Sequence, residues 1–152
     1  MSLTYQEAKT LEMLKNDLDS LQATSDTLDA KAQHNISVGG IVLALIILGN
    51  QGAPLAENPL LLLAVGLYAV SFTLSYLALR PQPWQTPFAG TSAAVKMMID
   101  LDLTEYFTKE IIMYLDVIEF DAPIVSRKSR LVSAGSLLIG AIVVLAVVGV
   151  AA

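Results

Sequence analysis

The sequence contains no cysteine and few charged residues. Without cysteine, neither a disulfide nor a thiolate metal site can form, and the redox compartment stays undetermined. Charged residues make up 15% of the 152 residues and hydrophobic residues 55%, whereas soluble domains carry about a quarter charged residues. The charges lie between three apolar blocks, because a charge inside a bilayer is costly. The composition therefore indicates an integral membrane protein.

Recognisable catalytic chemistry is also missing. His34 is the only histidine, and no Gly-rich phosphate loop, Ser/His/Asp set or HExxH spacing occurs. The acidic residues between positions 100 and 121, Glu110 and Asp121 among them, alternate with apolar ones, which is typical of the solvated face of an amphipathic helix. We therefore expect no enzyme activity, no catalytic or metal-binding residues and no cofactor. The net charge of −5 argues against nucleic-acid binding.

The apolar blocks predict an all-α fold with three transmembrane helices. The first covers about 36–50, short for the roughly 20 residues that a bilayer needs. The second covers 59–79 and ends at Arg80, and the third covers 131–152 without any ionisable side chain. Each block contains enough apolar residues to serve as a span once flanking residues are included.

The basic residues predict the orientation of these spans. All 9 lysines and arginines precede the first block or lie between the second and the third, and the connection over 51–58 contains none. Because basic residues are retained on the cytoplasmic side, we expect a cytoplasmic N-terminus, an external C-terminus and a place in the cell membrane. Four bases beside the spans either set this topology or contact anionic lipid: Arg80, Arg127, Lys128 and Arg130.

Before the first span, leucines repeat with heptad spacing. The stripe consists of Leu11, Leu14, Leu18, Leu21 and Leu28, and Ser25 and Ala32 continue it. Such a stripe is typical of a helix that packs on another helix, in the same chain or in a second copy. No proline occurs between Thr4 and Ala53, so this helix should continue into the first span.

After the second span comes a proline-rich segment with two aromatic residues. Pro81, Pro83 and Pro87 exclude a continuous helix there, and Trp84 and Phe88 are expected at headgroup depth.

Two helix starts are predicted beyond the prolines, near Ser92 and at Asp102, where Glu105 gives a capping-box spacing. An apolar stripe then faces the N-terminal helix: Phe107, Ile111, Tyr114, Ile118 and Val125. Pro123 should mark a kink or break, after which one helix runs from about Ile124 into the third span.

These predictions divide the chain into four segments. The first is a cytoplasmic amphipathic helix over 1–34, and the second is a transmembrane hairpin over 35–80. The third contains the proline-rich turn and cytoplasmic amphipathic helices over 81–130, and the fourth is the last span over 131–152. We thus expect three spans carrying long cytoplasmic helical extensions.

Small residues one turn apart mark candidate packing positions within the spans. Gly40 with Ala44, and Ser136 with Gly140, can bring helices close together, in one chain or between copies. Three helices are too few to enclose a polar path, so a pore would need an oligomer. Its candidate lining is the polar group in span two: Ser71, Thr73, Ser75 and Tyr76.

Two stretches resemble the Pycsar effector membrane domain and the related SLATT domains of antiphage systems. They are LDAKAQHNISVGGIVLALIIL, residues 28–48, in which Asp29, Lys31 and Ala32 precede the first span, and residues 105–147. The resemblance implies a helical, oligomerising membrane module that perturbs the inner membrane when a cyclic nucleotide signal is sensed. No nucleotide pocket can be assigned to the sequence, so a sensor could belong to a partner protein.

Two functions follow as hypotheses. The first is a self-associating inner-membrane protein, a membrane-perturbing or pore-forming effector of a defence system. The alternative is a membrane-anchored scaffold that recruits a soluble partner through its cytoplasmic helices. The expected partners are the lipid bilayer and further copies of the chain, with a soluble protein or a nucleotide signal as candidates.

Overall fold

The computed structural model describes residues 2–49, 58–86 and 102–151 of the chain. Helix α1 covers Ser2–Gly49, α2 covers Pro59–Leu79 and α3 covers Leu103–Ala151. No strand occurs within these ranges, and the all-α prediction is confirmed. Phe88 and the helix start predicted near Ser92 lie outside the described residues.

Helix α1 is continuous over its whole length, as the absence of proline predicts. It carries the leucine stripe in its first half and the first apolar block in its second half. The predicted passage from an amphipathic helix into a span without a break is confirmed.

The start of helix α2 is fixed by Asn58. Its side-chain oxygen accepts hydrogen bonds from the backbone N–H groups of Leu60 and Leu61, at 3.2 and 3.3 Å. Pro59 occupies the first helical position, where its missing donor costs nothing. The helix ends at Leu79, and residues 81–86 are not helical, as the prolines there require.

Helix α3 begins where the capping-box spacing predicts. The Tyr106 N–H donates to the Asp102 carbonyl at 2.9 Å, and Glu105 places a negative charge in the first turn. No break occurs at Pro123, because α3 continues through it to Ala151, and the alternative of a kink stays a prediction. A proline removes one backbone hydrogen bond, and buried Val117 and Val125 hold the helix on both sides of that defect.

All three helices are long and apolar enough to cross a membrane. Most of each apolar stretch is not covered by the chain itself: Leu48 is 74% exposed and Leu137 is 77% exposed. Lipid is the environment in which such surfaces are stable. The protein is therefore a multi-pass membrane protein whose spans contact the bilayer.

The chain folds as two compact units. One contains Met1–Ser25 and Gln82–Ser126, and we call it the extramembrane unit. The other contains Asp26–Pro81 and Arg127–Ala152, and we call it the membrane unit because it holds the three apolar blocks.

Candidate functional site

Hydrogen bonds set the helix directions in the membrane unit. Asn35 of α1 contacts Val132 and Ser136 of α3, and Asp29 contacts Lys128. Later residues of α1 thus meet later residues of α3, so the two helices run parallel. The Asn58 amide donates to the Gly149 carbonyl at 2.9 Å, and the Ser71 hydroxyl donates to the Gly135 carbonyl at 3.0 Å. Helix α2 is therefore antiparallel to α3.

An apolar core joins the C-terminal parts of α1 and α3 to the N-terminal part of α2. It is formed by Ile46, Leu61, Ala64, Ile139 and Ile142. Side chains from each helix fill the space between the three backbones.

Glycines allow close contacts between the helices, but these are Gly39 and Gly149 rather than the predicted Gly40 and Gly140. A Cβ on Gly39 would lie 2.5 Å from the Tyr68 ring, and one on Gly149 would lie 2.7 Å from Leu61. At Gly140 nothing lies within 4 Å. Gly140 is therefore not a packing position inside the chain. The small-xxx-small pattern does not report which face of a helix meets its neighbour.

Gly40 and Ala44 lie beside the contact face of α1 rather than on it. Gly40 is half-buried and Ala44 is exposed. The nearest atom to a Cβ on Gly40 would be the Tyr68 hydroxyl, at 3.7 Å. Within the chain these two small residues leave an open surface.

A polar cluster surrounds Asn35, which the sequence analysis missed. The Asn35 amide donates to Ser136 Oγ at 3.1 Å and to the Val132 carbonyl at 3.4 Å. Ser136, a predicted packing position, thus makes a side-chain contact with α1. Asn35 lies three residues after Ala32 and four before Gly39, on the same buried stripe. Extending the heptad spacing past Ala32 would have found it.

The serines of span two are buried in the same region. Ser71 and Ser75 are fully buried, and a Cβ on Gly135 would lie 3.1 Å from Ser75 Oγ. Their hydroxyls face α3 of the same chain, so they cannot line a pore between copies. Thr73 is exposed, but its hydroxyl donates to the Ala69 carbonyl of its own helix at 2.8 Å.

We predict a measurable coupling between Asn35 and Ser136. Interhelical hydrogen bonds in membranes contribute about 0.6 kcal/mol on average and up to roughly 1.7 kcal/mol. A double-mutant cycle of Asn35→Leu and Ser136→Ala, followed by denaturation in detergent, should return a coupling energy in this range. Strictly additive effects would contradict the hydrogen bond.

Asp29 and Lys128 form an ion pair just before the spans begin. Lys128 Nζ lies 2.7 Å from Asp29 Oδ2, and the Lys128 side chain is almost fully buried. Lys128 therefore does not present its charge to lipid, and the interpretation of this residue as a lipid contact was wrong. Arg127 and Arg130 are exposed on either side of it. The pair also gives Asp29, a residue of the family-like stretch, a structural role.

In the extramembrane unit, a second ion pair joins α1 and α3. Lys15 Nζ lies 3.2 Å from Glu110 Oε1 and 5.6 Å from the centre of the Tyr114 ring. Burial lowers the pKa of Lys15, but its hydrogen bond to Glu110 and the charge of that carboxylate outweigh burial and raise the pKa. The pair therefore stabilises the unit below the ordinary lysine pKa of 10.5, and this contribution is lost as the pH rises through the higher folded-state pKa.

The leucine stripe of α1 is covered within the chain. Leu11, Leu18 and Leu28 are buried, and Leu14 and Leu21 are half-buried. The Lys15 contacts place this part of α1 against α3, so the stripe packs in the same chain. A second copy is not needed to cover it.

The buried face of α3 differs from the predicted stripe. Phe107, Ile111, Tyr114 and Ile118 are only half-buried. The fully buried positions are Glu110, Val117, Asp121 and Val125. The assignment of Glu110 and Asp121 to the solvated face was wrong, since both are buried. It had been made from residue type alone, because acidic side chains usually face water.

Asp121 is a buried carboxylate of this unit with few hydrogen bonds. Its side chain has no exposed surface, and Oδ1 accepts one bond from the Gln85 N–H at 3.4 Å. The other oxygen, Oδ2, has no hydrogen-bond partner. Burial raises the pKa of Asp121, and the Gln85 bond opposes that shift only in part.

We predict that Asp121→Asn stabilises the protein at neutral pH. A raised folded-state pKa means that the protonated side chain favours folding below the ordinary aspartate pKa of 3.8, and that this contribution is lost as the pH rises through the folded-state pKa. The amide removes the buried charge, whose unsatisfied burial costs about 1–3 kcal/mol. Thermal unfolding at several pH values should show a higher Tm for the variant at neutral pH and a difference that shrinks in acid. A lower Tm at neutral pH would show that the carboxylate is needed.

One further surface of the membrane unit is an aromatic ladder along α2. The ring centres of Tyr68 and Phe72 lie 6.2 Å apart, and those of Phe72 and Tyr76 lie 6.4 Å apart. Tyr68 covers Gly39, whereas Phe72 and Tyr76 are exposed. Because α2 is antiparallel to α1, the ladder starts beside Gly40 at Tyr68 and runs away from Ala44.

A comparison with models of known protein families gives a match to the Pycsar effector protein domain. The match covers residues 13–152. The chain belongs to this family. No curated protein and no solved structure gives a significant match. Membership and the three spans together make the protein a membrane-associated antiphage effector by family. The resemblance predicted from residues 28–48 and 105–147 is confirmed.

Proposed function

We propose that this chain is a self-associating effector of the inner membrane, which perturbs the bilayer when a cyclic nucleotide signal reaches it or a partner protein. The family match over residues 13–152 carries the proposal, because it includes all three spans and most of both extensions. The action is physical rather than catalytic, and no enzymatic step is part of it.

The proposed orientation has a cytoplasmic N-terminus and an external C-terminus. Lys31, Arg80, Arg127 and Arg130 are all exposed at the ends of the spans. Because α2 is antiparallel to α1 and α3, these bases share one side of the membrane. The retention of basic residues inside supports the cytoplasm as that side.

Membrane perturbation by this chain requires several copies. Of the candidate lining residues of span two, Ser71 and Ser75 are buried against α3, whereas Thr73 and Tyr76 are exposed. The exposed polar side chains of span two thus lie on the surface of the three packed helices, where another copy or lipid would meet them. Association of copies, or disruption of the lipid around them, is therefore the mechanism that we propose.

The surface at Gly40 and Ala44 is our candidate for self-association. Small residues permit close backbone approach, Ala44 is exposed, and only the Tyr68 hydroxyl comes within 4 Å of a Cβ built on Gly40. The leucine stripe is the weaker candidate for a contact between copies, because α3 already covers much of it.

The test compares two alanine-to-leucine variants in spans. Ala44→Leu changes the proposed contact, and Ala141→Leu makes the same change at an exposed position of α3. Cells that express the parent chain with an inducing cyclic nucleotide should take up an impermeant dye, and crosslinking should show oligomers. Ala44→Leu should lose both signals and Ala141→Leu should keep both. Intact membranes at high expression of the parent chain, with and without the signal, would contradict the proposal.

The scaffold hypothesis is supported by a different surface. Ile112, Leu115 and Phe120 are exposed on α3 in the extramembrane unit, outside the three apolar blocks of the sequence. A soluble partner that uses this surface should be lost from a pull-down by Ile112→Ser with Leu115→Ser, while membrane insertion is unchanged. An unchanged set of partners would remove this alternative.

A further inference from the structure

The contacts of the membrane unit bring four exposed cations to one level. Asp29 meets Lys128 and Asn35 meets Val132, so Lys31 of α1 lies at the height of Arg127 and Arg130 of α3. Ser71 of α2 bonds to Gly135 of α3, and Arg80 comes nine residues after Ser71. Since α2 is antiparallel to α3, those nine residues lead back toward the start of the third span. At about 1.5 Å per residue this places Arg80 near the height of Arg127.

These cations are not neutralised by acids of their own unit. Its described residues contain only two acidic side chains, Asp26 and Asp29. Asp29 is paired with the buried Lys128, and Asp26 lies more than a turn from Lys31, farther from the span. Lys31, Arg80, Arg127 and Arg130 therefore form a collar of net positive charge, to which each of the three helices contributes.

The depth of the collar matches that of lipid phosphate. Arg80 follows the last residue of α2 and Arg130 precedes the first residue of the third apolar block. Headgroup phosphates lie at the ends of spans, and a guanidinium can bind two phosphate oxygens at once. We propose that this collar binds the phosphate groups of anionic phospholipids in the leaflet that contacts it. Binding follows from charge and depth, and it does not depend on self-association.

The experiment counts bound lipid on the full chain by native mass spectrometry. Purified protein is offered phosphatidylglycerol or phosphatidylcholine with identical acyl chains. Arg127→Gln with Arg130→Gln removes two charges of the collar, and Lys9→Gln with Lys109→Gln removes two exposed charges of the extramembrane unit. Because a base near an anionic surface contributes about five-fold in binding, the first variant should lose roughly 25-fold in affinity for phosphatidylglycerol. The second variant should retain the parent affinity.

Three controls separate lipid binding from other causes. Arg127→Lys with Arg130→Lys keeps the charge and should restore most of the binding, which a folding defect would not allow. Phosphatidylcholine should bind the parent and both glutamine variants equally weakly. Glycerol phosphate, which has the headgroup chemistry without acyl chains, should not displace the lipid. Equal loss in both glutamine variants, no loss in the collar variant, or displacement by glycerol phosphate would overturn the proposal.

Discussion

Gly39→Leu should disrupt the packing of the membrane unit, whereas Gly140→Leu should leave it intact. A Cβ at position 39 would lie 2.5 Å from Cε2 and 2.7 Å from Cδ2 of Tyr68, and 2.9 Å from Cδ1 of Ile139. The side chains of two neighbouring helices would have to move apart. Overpacking of this kind costs about 1–3 kcal/mol, and a leucine adds three more carbons to the clash.

Gly140 provides the matched control because it lies in a span and has nothing within 4 Å. A leucine there should point away from the chain and change stability by about 0.5 kcal/mol or less. Thermal unfolding of both variants in one detergent, followed by circular dichroism, measures the difference. If Gly140→Leu proves as damaging as Gly39→Leu, the assignment of the two faces is incorrect.

Lys128→Met should also destabilise the membrane unit, by about 1–3 kcal/mol. The methionine keeps the volume of the buried stem but leaves the Asp29 carboxylate without its ammonium partner at 2.7 Å. The Asp29 side chain is 36% exposed, so water compensates in part and the loss stays below that expected for a fully buried pair.

The double variant separates the pair from the packing. Asp29→Asn combined with Lys128→Met removes both charges and should recover part of the stability that Lys128→Met loses, because no unpaired charge remains. Lys31→Met, at an exposed position of α1, should change stability little. If Asp29→Asn and Lys128→Met had additive effects on stability, each as small as that of Lys31→Met, the ion pair would not contribute to stability.

The architecture could be predicted from the sequence because hydrophobic periodicity and proline placement dominate it. The proline-free stretch through residue 49 predicted the continuous α1, and the apolar block beginning at Pro59 predicted α2 residue by residue. The capping spacing at Asp102 predicted the start of α3. Each of these features depends on residues that are close together in the sequence.

The contact faces could not be predicted as well because they depend on partners that are distant in sequence. Glu110 lies in the buried face because Lys15 reaches it, and Gly39 rather than Gly40 meets Tyr68 because of the rotation of α1 about its axis. Neither partner is adjacent in sequence. Asp121 was placed on the solvated face by residue type, and Asn35 was given no role. Both side chains are buried because of partners that are distant in sequence.

The central claim is that lipid, and not protein or water, covers the exposed apolar faces of the three helices. The absence of cysteine permits single-cysteine variants with no background labelling. Useful positions are Ser20 on the exposed part of α1, Ala56 in the connection between spans one and two, and Val144 in the third span, which is 62% exposed in the fold.

Labelling of these variants in intact cells by a membrane-impermeant maleimide is the most direct test. Ala56→Cys should react from outside, and Ser20→Cys should react only after permeabilisation. Val144→Cys should react in neither condition until the membrane is dissolved, although the chain itself leaves the position open. Reaction of Val144→Cys as fast as that of Ser20→Cys in permeabilised cells would show that water reaches this face, and would contradict the account.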